Sequence, residues 1–442
     1  MLAPNLDPQF GVSQPDAKNT TKRGLFVGSD GRSLLFTFCL ISSLFLLWGF
    51  CSGLLDNLNK HFQNSLHLSR FQSGFVQNAF YMGYFGMALP AGMIARRFGY
   101  KGGIIVGLTL AAAGAFWFIP AVTINTYWAF LLGLFILASG LACLETIANP
   151  YTTVLGPPES GATRINIAQA CNGIGWISGM FIGTHLILSA TKEVNTGNGK
   201  LFIPYMGIGI AVAVLLVIFL FAKIPDLRAK EEVRAEAEHK AVKSIFKRSH
   251  FTLGVLSQFL YVAAQTGIFS FFINYTVANI SNFSDQAAGN LQVVAFALFA
   301  GGRLVGSAVV GFTKPHKALA IYAIINTLMM VLAMAGGGWA GVVGIMASFF
   351  FMSIMFPTIF ALSIRGLGDH TKLGSSLLVM SIVGGAIMTP LMGLIADNGG
   401  MRIGFVVPLV CFAVIAIYGA LWQTLEDKDS GGDGDSTAPI KT

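Results

Sequence analysis

The sequence predicts an all-α membrane protein with twelve transmembrane helices in two pseudo-symmetric six-helix bundles. Three observations predict it: too little charge for a water-facing surface, twelve apolar runs of spanning length, and one long polar stretch dividing them six and six. Of 442 residues, 54% are hydrophobic and 11% charged, and mean hydropathy is +0.68. A soluble domain carries roughly a quarter charged residues.

Crossing a bilayer takes about 20 apolar residues in a helix. Runs of that kind lie near 34–59, 71–95, 102–121, 127–155, 165–190 and 202–222, then near 251–279, 289–312, 318–336, 338–364, 374–396 and 403–424. Gly, Pro or charge separates them. The polar interruption 223–250 contains IPDLRAKEEVRAEAEHK, a stretch suited to a short surface helix with i,i+4 charge pairs. The expected organisation is a tail over 1–30, a first bundle over 31–223, a central loop over 224–249, a second bundle over 250–425 and a tail over 426–442. Both tails read as disordered, and residues 1–30 carry no cleavable signal pattern.

Orientation follows from the basic residues, which favour cytoplasmic loops. With the N-terminus inside, about 22 of the 28 Lys and Arg face the cytoplasm and about five face out: Lys60, Arg70, Lys192, Lys200 and Arg402. This placement accounts for the net charge of +8 without nucleic acid. Both termini are expected in the cytoplasm.

The halves also repeat. PYTTVLGPPESGATRINIAQACNGIGW, from Pro150, aligns with PTIFALSIRGLGDHTKLGSSLLVMSIVGGAI, from Pro357. Each passes from a helix end through a short loop with Thr163-Arg164 or Thr371-Lys372 into a Gly-rich helix. Such duplications build two similar bundles around a pseudo-two-fold axis with a site near the midplane.

An ionisable side chain in a span is costly and wants a partner or a watery cavity. Two acids fall inside apolar runs, Asp56 and Glu145, and one deeply placed base, Arg303. A carboxylate there can take up and give off a proton as its surroundings change, or can be a satisfied structural group. Counted from Leu34, Asp56 lies about 33 Å along its run, which suits a mid-membrane role if Gly49 and Gly53 bend the helix. Arg303, within GGRLVG, suits packing or a gate.

Interior amides form a second class: Asn78, Asn149, Gln169, Asn172, Gln258, Gln265 and Asn274. Each supplies donors and an acceptor to a polyhydroxylated solute, or simply joins two helices. Trp48, Tyr81, Trp176, Tyr261 and Phe272 offer rings that stack on a sugar face, although most of 37 Phe must be packing residues. The five cysteines lie inside apolar runs without CxxC spacing, so neither disulfides nor a metal is expected. Of seven histidines only His185 is expected in a span. No P-loop, HExxH or GxSxG occurs, so no enzyme, ATP drive or cofactor is implied.

Several segments resemble a known family. GMIARRFGYKGG, with Arg96 and Arg97, is similar to the loop motif of the major facilitator superfamily, with Ala95 where that motif usually has Asp. FQSGFVQNAFYMGYFGMALPAG, ASGLACLETIANPYTTVLGPPESGATRINIAQACNGIG, QFLYVAAQTGIFSFF and FPTIFALSIRGLGDHTKLGSSLLVMSIVGGAIMTPLMG resemble its fucose–proton symporter branch. The resemblance implies the major facilitator fold and a bacterial inner-membrane protein that moves a sugar with protons by alternating access. Matched position by position, it implies proton coupling at Asp56 and sugar binding at Glu145 and Gln169, with supporting roles for Gln77 and Gln265. Asn149, Asn172 and Tyr261 join the candidate binding set, and Arg303, Arg96 and Arg97 the gating or structural charges. The expected partners are a small sugar, protons and the bilayer, with the chain a monomer.

The segment CSGLLD departs from the branch, which has several Asn before the helix 1 Asp. Cys51, Ser52, Gly53 and Leu55 cannot make the same hydrogen bonds, so a hexose, deoxyhexose or amino sugar is expected without one being named. Sodium coupling, uncoupled transport, an exporter of drugs or peptides, and a transporter-like sensor remain the alternatives.

Overall fold

The computed structural model describes residues 26–27, 32–156, 161–188, 202–222, 224, 245–367 and 371–431. Most of both expected tails, most of the central loop with its surface helix, and Lys192 and Lys200 lie outside the described residues, whereas residues 426–431, expected in the disordered tail, continue the last helix.

Among the described residues the regular structure is all helical apart from one isolated bridge between Val27 and Ser33. Twelve spans follow in order. α1 is Leu35–Ser65; α2 and α3 are the two parts of the run Phe75–Ile124, preceded by the turn Arg70–Ser73. α4 is Tyr127–Val154, α5 is Gly161–Gly183 with a π-helical extension Thr184–Leu188, and α6 is Phe202–Phe221. α7 is Ser249–Asn279, α8 Asp285–Phe312, α9 Pro315–Gly336 and α10 Gly338–Ile364. α11 runs from Thr371 to Gly399 through a 3-10 turn at Ser381–Val383, and α12 is Val406–Gly431.

The run Phe75–Ile124 turns back on itself at Gly99, whose φ of 72° and ψ of 179° suit a residue without a Cβ. Eleven helices are apolar and long enough to span on composition alone. The twelfth, α2, is less apolar because it carries Gln77, Asn78, Tyr81 and Tyr84. These are the residues a span needs when one face turns toward a polar interior.

Two large apolar cores form, beside a small cluster of Ile245, Phe251, Leu367 and Leu378. One gathers side chains of α1–α6, from Ile41 to Phe219. The other gathers α7–α12, from Tyr261 to Trp422, and recruits Met180 and Leu188 of α5 across the seam. Large apolar side chains such as Leu89, Trp128, Phe221 and Leu304 are exposed, as surfaces meant for lipid tails require.

α1 is longer than its apolar run suggested, and its 31 residues continue past Asp56 to Ser65. Asp56 therefore sits about 9 Å from the helix midpoint at 1.5 Å per residue, inside the hydrocarbon layer without any bend. Gly49 and Gly53 do something else. A Cβ on Gly49 would stand 2.0 Å from Asn172 O, and one on Gly53 2.3 Å from Trp176 O. Reciprocally, a Cβ on Gly175 would stand 2.3 Å from Leu46 O and one on Gly179 2.2 Å from Phe50 O. Two GxxxG faces thus press α1 and α5 backbone to backbone. The expected bend is corrected to a close crossing.

The repeat segments occupy matching places: Pro150 in α4 and Pro357 in α10 precede the starts of α5 and α11. Arg164 is fully buried and donates through Nε to Thr152 O at 3.0 Å, fastening α5 to α4. Histidines were undercounted in the spans, since His61, His250 and His316 lie in α1, α7 and α9. Among the described residues no cluster is able to hold a metal ion.

Candidate functional site

Asp56 is 3% exposed and sits on the seam between the bundles. Gln77 Nε2 of α2 donates to its Oδ1 at 2.9 Å. From the second bundle, Ser270 Oγ of α7 donates to the same oxygen at 3.4 Å, and Gln292 Nε2 of α8 lies 3.4 Å from Oδ2. The carboxylate is held by three donors, and two of them belong to the second bundle.

Beside it lies a small cavity of about 10 Å³ lined by Ser52, Leu55, Gln77, Tyr81, Trp176, Thr266 and neighbouring rings. That is about the volume of one water, so the bundles are closed around this level. Thr266 Oγ1 donates to the Tyr81 hydroxyl at 3.2 Å, another bond across the seam. Trp176 packs against Phe269 and Phe296 of the second bundle, with centroids 5.9 and 5.3 Å apart.

Glu145 of α4 differs from Asp56. It is partly exposed, lies in electrostatic range of Tyr81 and Tyr84, and has no hydrogen-bond or ion-pair partner among the described residues. A carboxylate without a partner among the described residues is available to a ligand. Asn149 and Gln169 are also partly exposed, and Gln169 Nε2 donates to Asn149 Oδ1 at 3.4 Å. Gln265 is partly exposed on α7.

Other candidates have polar ends committed to backbone. Asn172 donates to Phe45 O at 3.2 Å, and the Tyr261 hydroxyl donates to Met352 O at 2.9 Å with the residue fully buried. Neither lines the small cavity. Arg303 reaches Ser353 O through Nε at 3.5 Å and lies over Phe299, 5.3 Å from the ring centroid. Arg97 is exposed above Phe98, and the side chain of Arg96 lies outside the described residues.

A layer of polar contacts closes the face remote from the ends of α12 and the start of α1, called here the distal face. Asn59 Nδ2 donates to Ser270 O at 3.4 Å, and Asn274 donates to Gln63 Oε1. Asp285 takes a hydrogen bond from Asn64 at 2.6 Å and an ion pair from Lys60 at 3.5 Å. Asp397 of α11 accepts from the backbone N–H groups of Arg70 and Phe71 at 3.0 and 2.9 Å, with the Arg70 guanidinium 3.6 Å away. It thereby caps the opening turn before α2 from the opposite bundle. Asn78 donates to Ala386 O at 3.2 Å.

Sequence reasoning missed Gln292, Ser270, Asp285 and Asp397. Gln292 carries the same signal as the other interior amides, since it stands inside the run 289–312. Asp285 and Asp397 read as loop acids, whereas both lie on helix ends facing the other bundle. Ser270 gives no signal, because serine packs anywhere in a membrane helix.

Comparison with known proteins agrees with this architecture. Residues 33–381 match the family model of the Major Facilitator Superfamily. The chain is 39% identical over 409 residues to the L-fucose-proton symporter of Escherichia coli K12, covering 88% of this chain and 93% of that protein. It is 38% identical over 399 residues to a glucose/galactose transporter of Brucella abortus, covering 89% and 95%. The crystal structure of the transporter FucP in its outward conformation superposes with a TM-score of 0.67 at 38% identity, covering 88% of this chain and 99% of that one. The twelve helices, the seam carboxylate and this likeness over nearly the whole chain together show that the protein belongs to the Major Facilitator Superfamily, in the family of the fucose–proton symporters.

Proposed function

We propose that the chain is a sugar transporter working by alternating access, and that it imports a hexose, deoxyhexose or amino sugar together with a proton. One observation carries the reading: Asp56 is a buried carboxylate whose donors come from both bundles. Any motion that parts the bundles on this side changes what the carboxylate touches. Its hold on a proton then differs between the two states, which is what coupling requires.

In this scheme Glu145 and Gln169 grip the solute and Asp56 carries the coupling proton. The basic residues favour cytoplasmic termini, and on that orientation the closed distal face is the outer one. Asp56 takes its proton from outside with the bundles parted, and gives it up inside when the distal layer closes. Each cycle moves one sugar and one proton in the same direction.

Relatives named for fucose with protons and for glucose/galactose are about equally similar, at 39% and 38% identity. Identity alone therefore does not choose the sugar. The second of these names gives a hexose and no ion, and the alternative reading is a hexose carrier driven by sodium or by no ion. The decisive experiment reconstitutes the protein in liposomes and offers labelled sugars under an imposed pH gradient, then under a sodium gradient. Proton symport predicts uphill accumulation with the first only. Accumulation driven by sodium alone overturns proton coupling, and binding without flux makes the protein a sensor.

A further inference from the structure

A second site lies on the lipid-facing flank of the second bundle, remote from Asp56. Between the start of α9 and the last turns of α12 is an open cleft of about 550 Å³. Lys317, Gln423, Thr424 and Asp427 line its polar part, and Ile321 and Ala420 its apolar part. The ring of His316 stacks on Trp422 at 5.5 Å beneath it. Lys317 and Asp427 are both exposed, and neither has a hydrogen-bond or ion-pair partner among the described residues. Two opposite charges therefore face one cleft without neutralising each other.

The first bundle shows what usually fills such a place. The matching helices there are α3 and α6, and Lys101 at the start of α3 donates to Leu220 O at 3.0 Å and Ala222 O at 2.9 Å. That lysine closes the groove by capping the end of α6. In the second bundle α12 continues to Gly431, so it offers Lys317 no free carbonyls. The groove stays open with its lysine unspent.

The cleft stands at helix ends, where spans meet the headgroup layer, and its apolar wall runs toward the hydrocarbon. Ile321 is 55% exposed and Ala420 is exposed beside it, a wall suited to an acyl chain. We propose that this cleft binds a phospholipid whose zwitterionic headgroup carries a phosphate and a primary ammonium. Lys317 holds the phosphate, Asp427 accepts from the ammonium, and Gln423 and Thr424 bond the ester oxygens. Two nearby pairs are already committed: Arg365 pairs with Glu426 at 3.0 Å, and His250 pairs with Asp429 at 2.7 Å. The lipid thus completes a polar belt that fastens α12 to α7, α9 and α10. The site is independent of which solute the protein carries.

The test is native mass spectrometry of the full-length protein titrated with phosphatidylethanolamine, phosphatidylcholine or phosphatidylglycerol. A primary ammonium donates hydrogen bonds to Asp427 and a trimethylated one does not, so phosphatidylethanolamine is retained about tenfold better than phosphatidylcholine. Asp427→Asn removes that preference, Lys317→Gln lowers retention of both lipids, and Ala420→Trp fills the cleft and abolishes it. Lys317 and Asp427 support no internal contact among the described residues, so without added lipid these variants keep the wild-type melting temperature. Equal retention of the two zwitterionic lipids overturns the proposal. So does stronger retention of phosphatidylglycerol, or a preference that survives both Asp427→Asn and Ala420→Trp.

Discussion

Gln292 of the second bundle reaches across the seam to Asp56 of the first, its Nε2 3.4 Å from Asp56 Oδ2 and 2.7 Å from Phe269 O. Its own Oε1 is buried without a partner among the described residues. The amide ties α8 to α7 through Phe269 O and reaches the carboxylate with the same nitrogen. Gln292→Leu removes one donor to Asp56, and active accumulation should fall about tenfold while sugar exchange changes by less than about twofold. Equal loss of both in proteoliposomes would assign Gln292 to folding.

Asp56→Asn keeps the shape of the side chain and removes the titrating group. Accumulation against a gradient should vanish, whereas exchange of labelled for unlabelled sugar persists. A mutant that still concentrates sugar removes Asp56 from the coupling role.

Glu145 bonds to no described neighbour, so Glu145→Ala should leave thermal stability within about 0.5 kcal/mol of wild type. Sugar affinity should fall by about 2 kcal/mol or more, as expected for loss of a charged hydrogen-bonding partner. Calorimetry on the purified protein reads both quantities. Undiminished affinity would make Glu145 structural.

The α1–α5 crossing has no room for a side chain at Gly53. Gly53→Val should destabilise the first bundle by at least about 1–3 kcal/mol, seen as a lower melting temperature. Gly173, on the same α5 but with nothing within 4 Å of an added Cβ, supplies the control, and Gly173→Ala should melt like wild type.

Asp397 holds two backbone N–H groups and a guanidinium of the opposite bundle. Asp397→Ala should shift the balance toward the distally open state by about 1–3 kcal/mol. Spin labels at His67 and Asn398, both exposed at this face, should report a longer-distance population. An unchanged distance distribution would show that Asp397 is no latch.

Hydropathy made the spans, the six-plus-six division and the two interior acids legible, because each is a contrast between a residue and its immediate neighbours. What hydropathy does not carry is direction around a helix. Gly49 and Gly53 read as a hinge until α5 was found against them, and α1 ran six residues beyond its apolar run. Asn172 and Tyr261 read as ligands for a solute, yet each donates to a neighbouring helix. Gln292, Asp285 and Asp397 matter only through what faces them, and their partners stand 221 to 327 positions away in the chain for the bonds described. The resemblance, by contrast, pointed directly to Asp56 and Gln77, which the structure joins by a hydrogen bond of 2.9 Å.

The cap that Asp397 places on the turn before α2 has a consequence for opening. When the bundles part, the N–H groups of Arg70 and Phe71 lose their carboxylate, and nothing apolar can replace it. Water must take that place, as it must around Asp285 and Lys60. Opening the distal face is therefore a wetting transition as much as a rocking one. Solutes excluded from the protein surface should hold the gate shut, making the return of the empty carrier sensitive to osmotic stress.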